Sequence, residues 1–256
     1  MKVLSLLIAI FLSHQALAVT IEFPEEELAQ ESVLPVFDNA LAVKSRTVPT
    51  EGKIEIGLGG GFALNEPFFN TARFGGHIGY HLTETHAVLL TGQLYQEGLG
   101  NNGKGLAATD LDNGSTSTTF IRMDFAPQPK YHFFANYQIT PYYGKISIFK
   151  NFVMNLSLYG MFGLGVVDVG GESTPALNVG IGQKFYFSKH WGIRADLGLM
   201  AFDGVNYFVG ADGGRSPLQD TSGSTADDVT AEVPVSEFDR QMQYDLHFNL
   251  ALVILL

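Results

Sequence analysis

The chain has no cysteine, which excludes a disulfide scaffold and any thiol-based site. It is also poor in positive charge: 15 Lys and Arg stand against 26 Asp and Glu, a net charge of −11 over 256 residues. That sign argues against a nucleic-acid partner, whose phosphates need neutralising. Also missing is a continuous apolar run of the roughly 20 residues that a spanning helix requires. The apolar stretch Val3 to Leu12 is too short, and Leu246 to Leu256 is interrupted by His247 and Asn249. If the chain enters a membrane, it must do so as a closed β-barrel, the other architecture that satisfies every backbone polar group in lipid.

The N-terminus reads as a secretory leader. Met1-Lys2 is a short positive start, Val3 to Leu12 an apolar core, and Ala16-Leu17-Ala18 a small-x-small site, so residues 1–18 are expected to be a signal peptide cleaved after Ala18. Residues 19–50 follow as a mostly irregular periplasmic segment with an acidic start, in which prolines at 24, 35 and 49 limit any helix. It is placed to cross a barrel mouth, to dock to another protein, or to remain a solvated leader. Residues 51–256 form the expected barrel.

The stretch Lys145 to Val169 carries the fold argument. From Met154 to Val166, Met154, Leu156, Leu158, Phe162, Leu164 and Val166 share one face, while Asn155, Ser157 and Tyr159 take the other. A two-residue period is that of a strand, and the run suits a tilted strand crossing an outer membrane. Similar alternation marks seven further strands: 53–64, 71–82, 86–96, 130–148, 176–187, 191–200 and 242–255. In the fourth of these, apolar parity shifts near Pro141 to Gly144, the effect of a β-bulge. Many of the 29 glycines lie inside these runs, where close packing or sharp curvature in a small barrel would give them a use.

The connections sort by parity. Residues 83–85, 149–151 and 188–190 are tight, whereas 97–118 and 203–240 are long and polar; 170–174 is a shorter polar link. Short periplasmic turns and longer external loops, with both ends of the chain periplasmic, are the pattern of an outer-membrane barrel. The fold expected is therefore an all-β, antiparallel transmembrane β-barrel of eight strands. Tyr142, Tyr143, Phe149, Phe152, Phe187, Trp191 and Tyr244 lie near strand ends, where interfacial aromatic girdles sit.

The segments ESVLPVFDNALAVKSRTVPTEGKIEIGLGGGFALNEPFFN, GGHIGYHLTETHAV, APQPKYHFFANYQITPYYGKISIFKNFVMNLSLYGMFGLGVV and GIGQKFYFSKHWGIRADL resemble those of an outer-membrane β-barrel domain family of myxobacteria and Bdellovibrio-like predatory bacteria. The resemblance runs from about Glu31 to Leu199. It implies a Gram-negative outer-membrane location and supplies no catalytic residues to carry over.

The inward rows hold Glu55, Arg73, His77, His81, Lys184, Arg194, Asp196, Asp245 and His247. The simplest reading is a network of paired charges filling a narrow lumen, with Glu55 and Asp245 in the same wall. A small-solute pore is the alternative, limited by the little room eight strands enclose. A rim hydrolase using Ser188 and His190 is a further alternative, lacking an acidic orienter, and a soluble periplasmic β-barrel binding protein is another. Gly57 to Gly61 lies within a strand and is not a nucleotide loop. His77 and His81, about 13 Å apart along a strand, are too distant for one metal. The expectation is thus no cofactor, metal or catalytic residue. The partners expected are outer-membrane lipids and a periplasmic or cell-surface protein, with the barrel itself monomeric.

Overall fold

The computed structural model describes residues 46–108, 119–149, 152–221 and 231–256. Residues 1–45, which include the expected leader, and residues 109–118, 150–151 and 222–230 lie outside them.

Among the described residues there are ten strands, β1 (Ile54–Ala63), β2 (Phe69–His81), β3 (His86–Leu99), β4 (Thr119–Ile121), β5 (Pro129–Phe149), β6 (Phe152–Val169), β7 (Glu172–Tyr186), β8 (Trp191–Gly210), β9 (Gln219–Thr221) and β10 (Phe238–Leu255), and one α-helix, α1 (Asn101–Ala108). Eight of the strands form a closed antiparallel barrel in the order β1-β10-β8-β7-β6-β5-β3-β2. Closure is made by β1 and β10, in register from Glu55 opposite Leu255 to Ala63 opposite His247. Closing the sheet leaves no free edge along this wall.

Alternation sets which side chain faces which way. Outward rows on all eight strands are apolar and exposed, including Leu58, Phe74, Leu90, Phe133, Leu164, Ile181, Leu197 and Leu252. Inward rows are buried and largely polar. The bulge falls where the parity shift places it: the β5–β6 register slips between Ile139 and Tyr142.

Several boundaries differ from the sequence reading. The polar link 170–174 is a two-residue hairpin, Gly170-Gly171, between Val169 and its partner Glu172. Both glycines have positive φ, 57° and 92°, as a tight hairpin whose twist matches its strands requires. Strand β8 continues to Gly210 and β10 begins at Phe238, so the long connection 203–240 is shorter than expected. In the connection 97–118, β3 runs on to Leu99 and α1 follows.

The two long connections do not extend freely as polar surface in their described parts. Strands β4 and β9 pair with each other, and Val233 N–H donates to the Phe125 carbonyl at 3.0 Å. Between them and the inner faces of the projecting strands lies an apolar core containing Met123, Val167, Met200, Phe202, Leu218 and Phe238. This cap closes one end of the barrel. At the opposite end Val48 is buried against Tyr186 and Leu255, so residues just before β1 tuck into the other mouth.

Candidate functional site

The interior is built in layers, and Glu55 is the hub of the lowest. It stands opposite Gly79 on β2, flanked two residues to either side by His77 and His81. That placement lets one carboxylate reach both imidazoles: His77 Nε2 lies 3.1 Å from Oε1 and His81 Nε2 2.9 Å from Oε2. The histidines share an acceptor. Lys184 Nζ donates to Oε2 at 2.5 Å, and Arg194 Nη1 lies 3.6 Å from Oε1.

Lys184 and Arg194 are direct cross-strand neighbours, an arrangement that repels unless both are answered. Glu55 answers Lys184, and Asp196 answers Arg194, whose Nε donates to Oδ2 at 2.7 Å. The Tyr159 hydroxyl donates to the other Asp196 oxygen, while its ring lies 5.1 Å from Lys184 Nζ and 4.7 Å from Arg194 Cζ. Two carboxylates, two cations and cation–π contacts thus meet in a space too tight for water-like screening.

Glycine makes that crowding feasible. Gly182 lies between Tyr159 and Asp196 in register, and a methyl group there would run into both side chains. Gly57 stands opposite His77 in the same relation. These glycines act as notches for bulky neighbours, which is the geometric use their clustering called for.

Above this layer the interior becomes neutral. Asn136 Nδ2 donates to Thr91 at 2.7 Å, Asn178 Nδ2 to Asn136 at 2.9 Å and Gln93 Nε2 to Asn249 at 3.3 Å. The free space among them is about 40 Å³, the scale of a few water molecules.

A second charged group sits higher still. Arg73 Nη2 pairs with Asp245, and His247 Nδ1 is 3.5 Å from the other Asp245 oxygen. Arg73 lies 4.7 Å over the Tyr95 ring, whose hydroxyl meets His132 Nδ1 at 2.9 Å. Glu55 and Asp245 therefore do not share one network. Both lie on the paired β1 and β10 walls, but Glu55 faces Leu255 in register, ten residues along β10 from Asp245. At about 3.3 Å per residue that separation is too long for direct pairing.

Tyr142, Phe187, Trp191 and Tyr244 are exposed on the outer wall. Tyr143 is a correction. Past the bulge it turns toward the mouth, its hydroxyl donating to Asn155 Oδ1 at 2.8 Å and accepting the Thr47 N–H at 3.1 Å, with Arg46 over its ring. Phe149 and Phe152 are paired at the tips of β5 and β6, and their side chains fall outside the described residues.

Ser188 and His190 are engaged in turn chemistry. Ser188 Oγ accepts the N–H groups of His190 and Trp191 at 3.2 and 3.0 Å, and His190 Nδ1 donates to the Leu255 carbonyl at 3.1 Å. Among the described residues, no three His, Asp or Glu side chains are grouped to hold a metal ion.

No family model and no curated protein matches this chain.

Tyr95 and Glu97 are inward residues that the sequence reading left at a strand end or in a loop. The alternation Tyr95, Glu97, Leu99 continues the inward row, and was the signal available.

Proposed function

We propose that the protein is an outer-membrane β-barrel of a Gram-negative bacterium, of the kind found in the myxobacterial and Bdellovibrio-like family it resembles, with a structural or interaction role. The observation that carries this reading is the inversion of its surfaces. Large apolar side chains are exposed on all eight barrel strands, with Leu58 at 71% and Leu164 at 67%, while Glu55 and Arg73 are at 0%. A soluble monomer rarely presents so continuous an apolar belt, whereas a lipid-facing wall requires one.

The role is closed rather than conducting: the ion-pair layer and amide layer fill the interior, and each mouth is covered. Ser188 and His190 are occupied by backbone partners, which speaks against the rim hydrolase and supports a non-catalytic role. The end carrying the turns at 82–85 and 187–190 faces the periplasm in this reading, and the capped end faces outward, where α1 and the β4–β9 pair offer a surface to a partner.

Heat-dependent electrophoretic mobility in detergent tests the proposal: the unheated protein is expected to migrate faster than the boiled one and to show β-rich circular dichroism in micelles. A protein that stays monomeric, compact and soluble without detergent would instead be a periplasmic binding barrel.

A further inference from the structure

Beyond the Ala63–His247 pair, the segment after β1 keeps one backbone bond to β10, from the Leu64 N–H to the Leu246 carbonyl at 2.7 Å, while β10 runs on to Phe238 and β2 extends to Phe69. The wall therefore has a notch. Asn65 bridges its lower edge, with Nδ2 donating to the Tyr244 carbonyl at 2.6 Å and Oδ1 accepting the Leu246 N–H at 2.8 Å. Behind the notch lies a cavity of about 400 Å³, within the size range of small-molecule sites.

Two kinds of group face this space. Phe68, Phe69 and Tyr207 supply aromatic wall, fixed by ring contacts of 5.6 Å between Phe68 and Phe208 and 5.9 Å between Phe69 and Tyr207. Glu66, Glu97 and Asp245 supply carboxylates, and among the described residues no Lys, Arg or His lines the cavity.

Asp245 is answered from below by Arg73, but the buried Glu97 Oε2 has no hydrogen-bond partner among the described residues. Burial pushes the Glu66 carboxyl up, against the pull of the Phe68 N–H and with added repulsion from Asp245. A neighbouring cavity of about 250 Å³ shares Glu97 and Pro129 with the first, so Glu97 stands at the junction of the two.

A carboxylate buried beside aromatic rings is held in its charged form by a cation, and is otherwise driven to its neutral form. A compact metal ion is a poor match, because the acidic groups are not gathered to hold one. An organic cation suits both walls, since aromatic faces attract ammonium groups and cover alkyl chains.

We propose that this cavity binds an aliphatic amine as its ammonium ion, with the alkyl part against Phe68, Phe69 and Tyr207 and the charged end at Glu97. A free polyamine entering from the capped end and a lipid amine headgroup entering through the notch present the same chemistry.

Calorimetric titration of the full chain in neutral maltoside micelles tests it, with hexylammonium as the probe and hexanoate and hexanol as controls. Saturable binding of hexylammonium is expected, at least tenfold tighter than either control and weakened at least tenfold by Glu97→Gln. Glu66→Gln serves as the second variant, and circular dichroism checks that each is folded. Displacement of the probe by spermidine assigns a free polyamine, and displacement by phosphatidylethanolamine in nanodiscs assigns a lipid headgroup; either supports the site. Absence of saturable binding, equal binding of hexanol, or full affinity in both folded variants overturns it.

Discussion

Lys184 Nζ lies 2.5 Å from Glu55 Oε2, joining two strands across 129 residues of sequence in a fully buried ion pair. Removing one member of such a pair strands the other charge. Glu55→Ala leaves Lys184 without its carboxylate and two histidines without their acceptor, so it is expected to destabilise the barrel by about 3–5 kcal/mol. Replacing both Glu55 and Lys184 with methionine is expected to cost less than the sum of the single changes, because the uncompensated charge disappears with its partner. Urea unfolding followed through Trp191, the one tryptophan, measures both. An unfolding midpoint unchanged in Glu55→Ala would show that the pair is not holding the wall together.

Gly182→Ala tests the notch. Its new methyl group would meet Tyr159 and Asp196 together, and neither can withdraw without breaking the hydrogen bond between them. Overpacking of this kind costs about 1–3 kcal/mol. Gly98→Ala, where nothing lies within 4 Å, is the control and should stay within about 0.5 kcal/mol of the parent. Equal stability of the two variants in the same urea experiment would remove the packing account of the interior glycines.

The strands that could be read from the sequence are those with exposed apolar side chains outside and charge inside, because there the two-residue period carries a large polarity difference. The signal fails where the surroundings invert. Along β8, Leu197 and Leu199 point outward and are exposed, yet past Met200 the buried residues are Phe202, Val205 and Tyr207 under the cap, while Asp203 and Asn206 take intermediate positions. Under the cap the buried side chains are apolar and the two-residue period slips between Phe202 and Val205, so an outward apolar row ends at 200 although the strand does not. Within the site, the inward positions of Glu55, Lys184, Arg194 and Asp196 followed from parity alone. Their partners did not: whether Glu55 meets Lys184 or Asp245 depends on register around the closed sheet, which alternation along single strands does not contain. Tyr143 lies past the bulge, opposite Ser157, so its turn toward the mouth does not follow from alternation along the first half of β5.

Acid should loosen the segment that covers the lower mouth. Partial burial raises the Glu84 carboxyl, but the N–H groups of Thr50 and Glu51, the Thr50 hydroxyl and the Arg46 guanidinium outweigh it and hold the group below its ordinary value of 4.5. A carboxylate whose pKa is lowered by folding stabilises the folded form above the unfolded pKa, and that contribution is lost as pH falls through the folded value. Protection of the Thr50 and Glu51 amides, measured by hydrogen exchange and corrected for intrinsic rate, is therefore expected to be constant near neutrality and to fall below about pH 4.5. Glu84→Gln should show lower protection with little dependence on pH. The same acid-induced loss in that variant would assign the effect to another group.

Covering the lower mouth and filling the interior are separate barriers to permeation, and they can be separated in planar bilayers. The whole protein is expected to give no reproducible conductance steps. Truncation before Glu51 removes Val48 and the Arg46 and Thr50 contacts to Glu84, yet leaves the layer of Glu55, Lys184, Arg194, Asp196 and Tyr159 intact. Eight strands enclose little more than their own side chains, and here those side chains are tied to one another from β1, β2, β6, β7 and β8. The truncated chain should therefore stay closed, and steps should appear only when the layer itself is thinned, as in a variant combining Tyr159→Ala with Arg194→Ala. Large ohmic steps from the truncated chain would mean that the lower segment is the gate and that the charged layer admits ions past it. Steps from the whole protein would overturn the closed interior altogether.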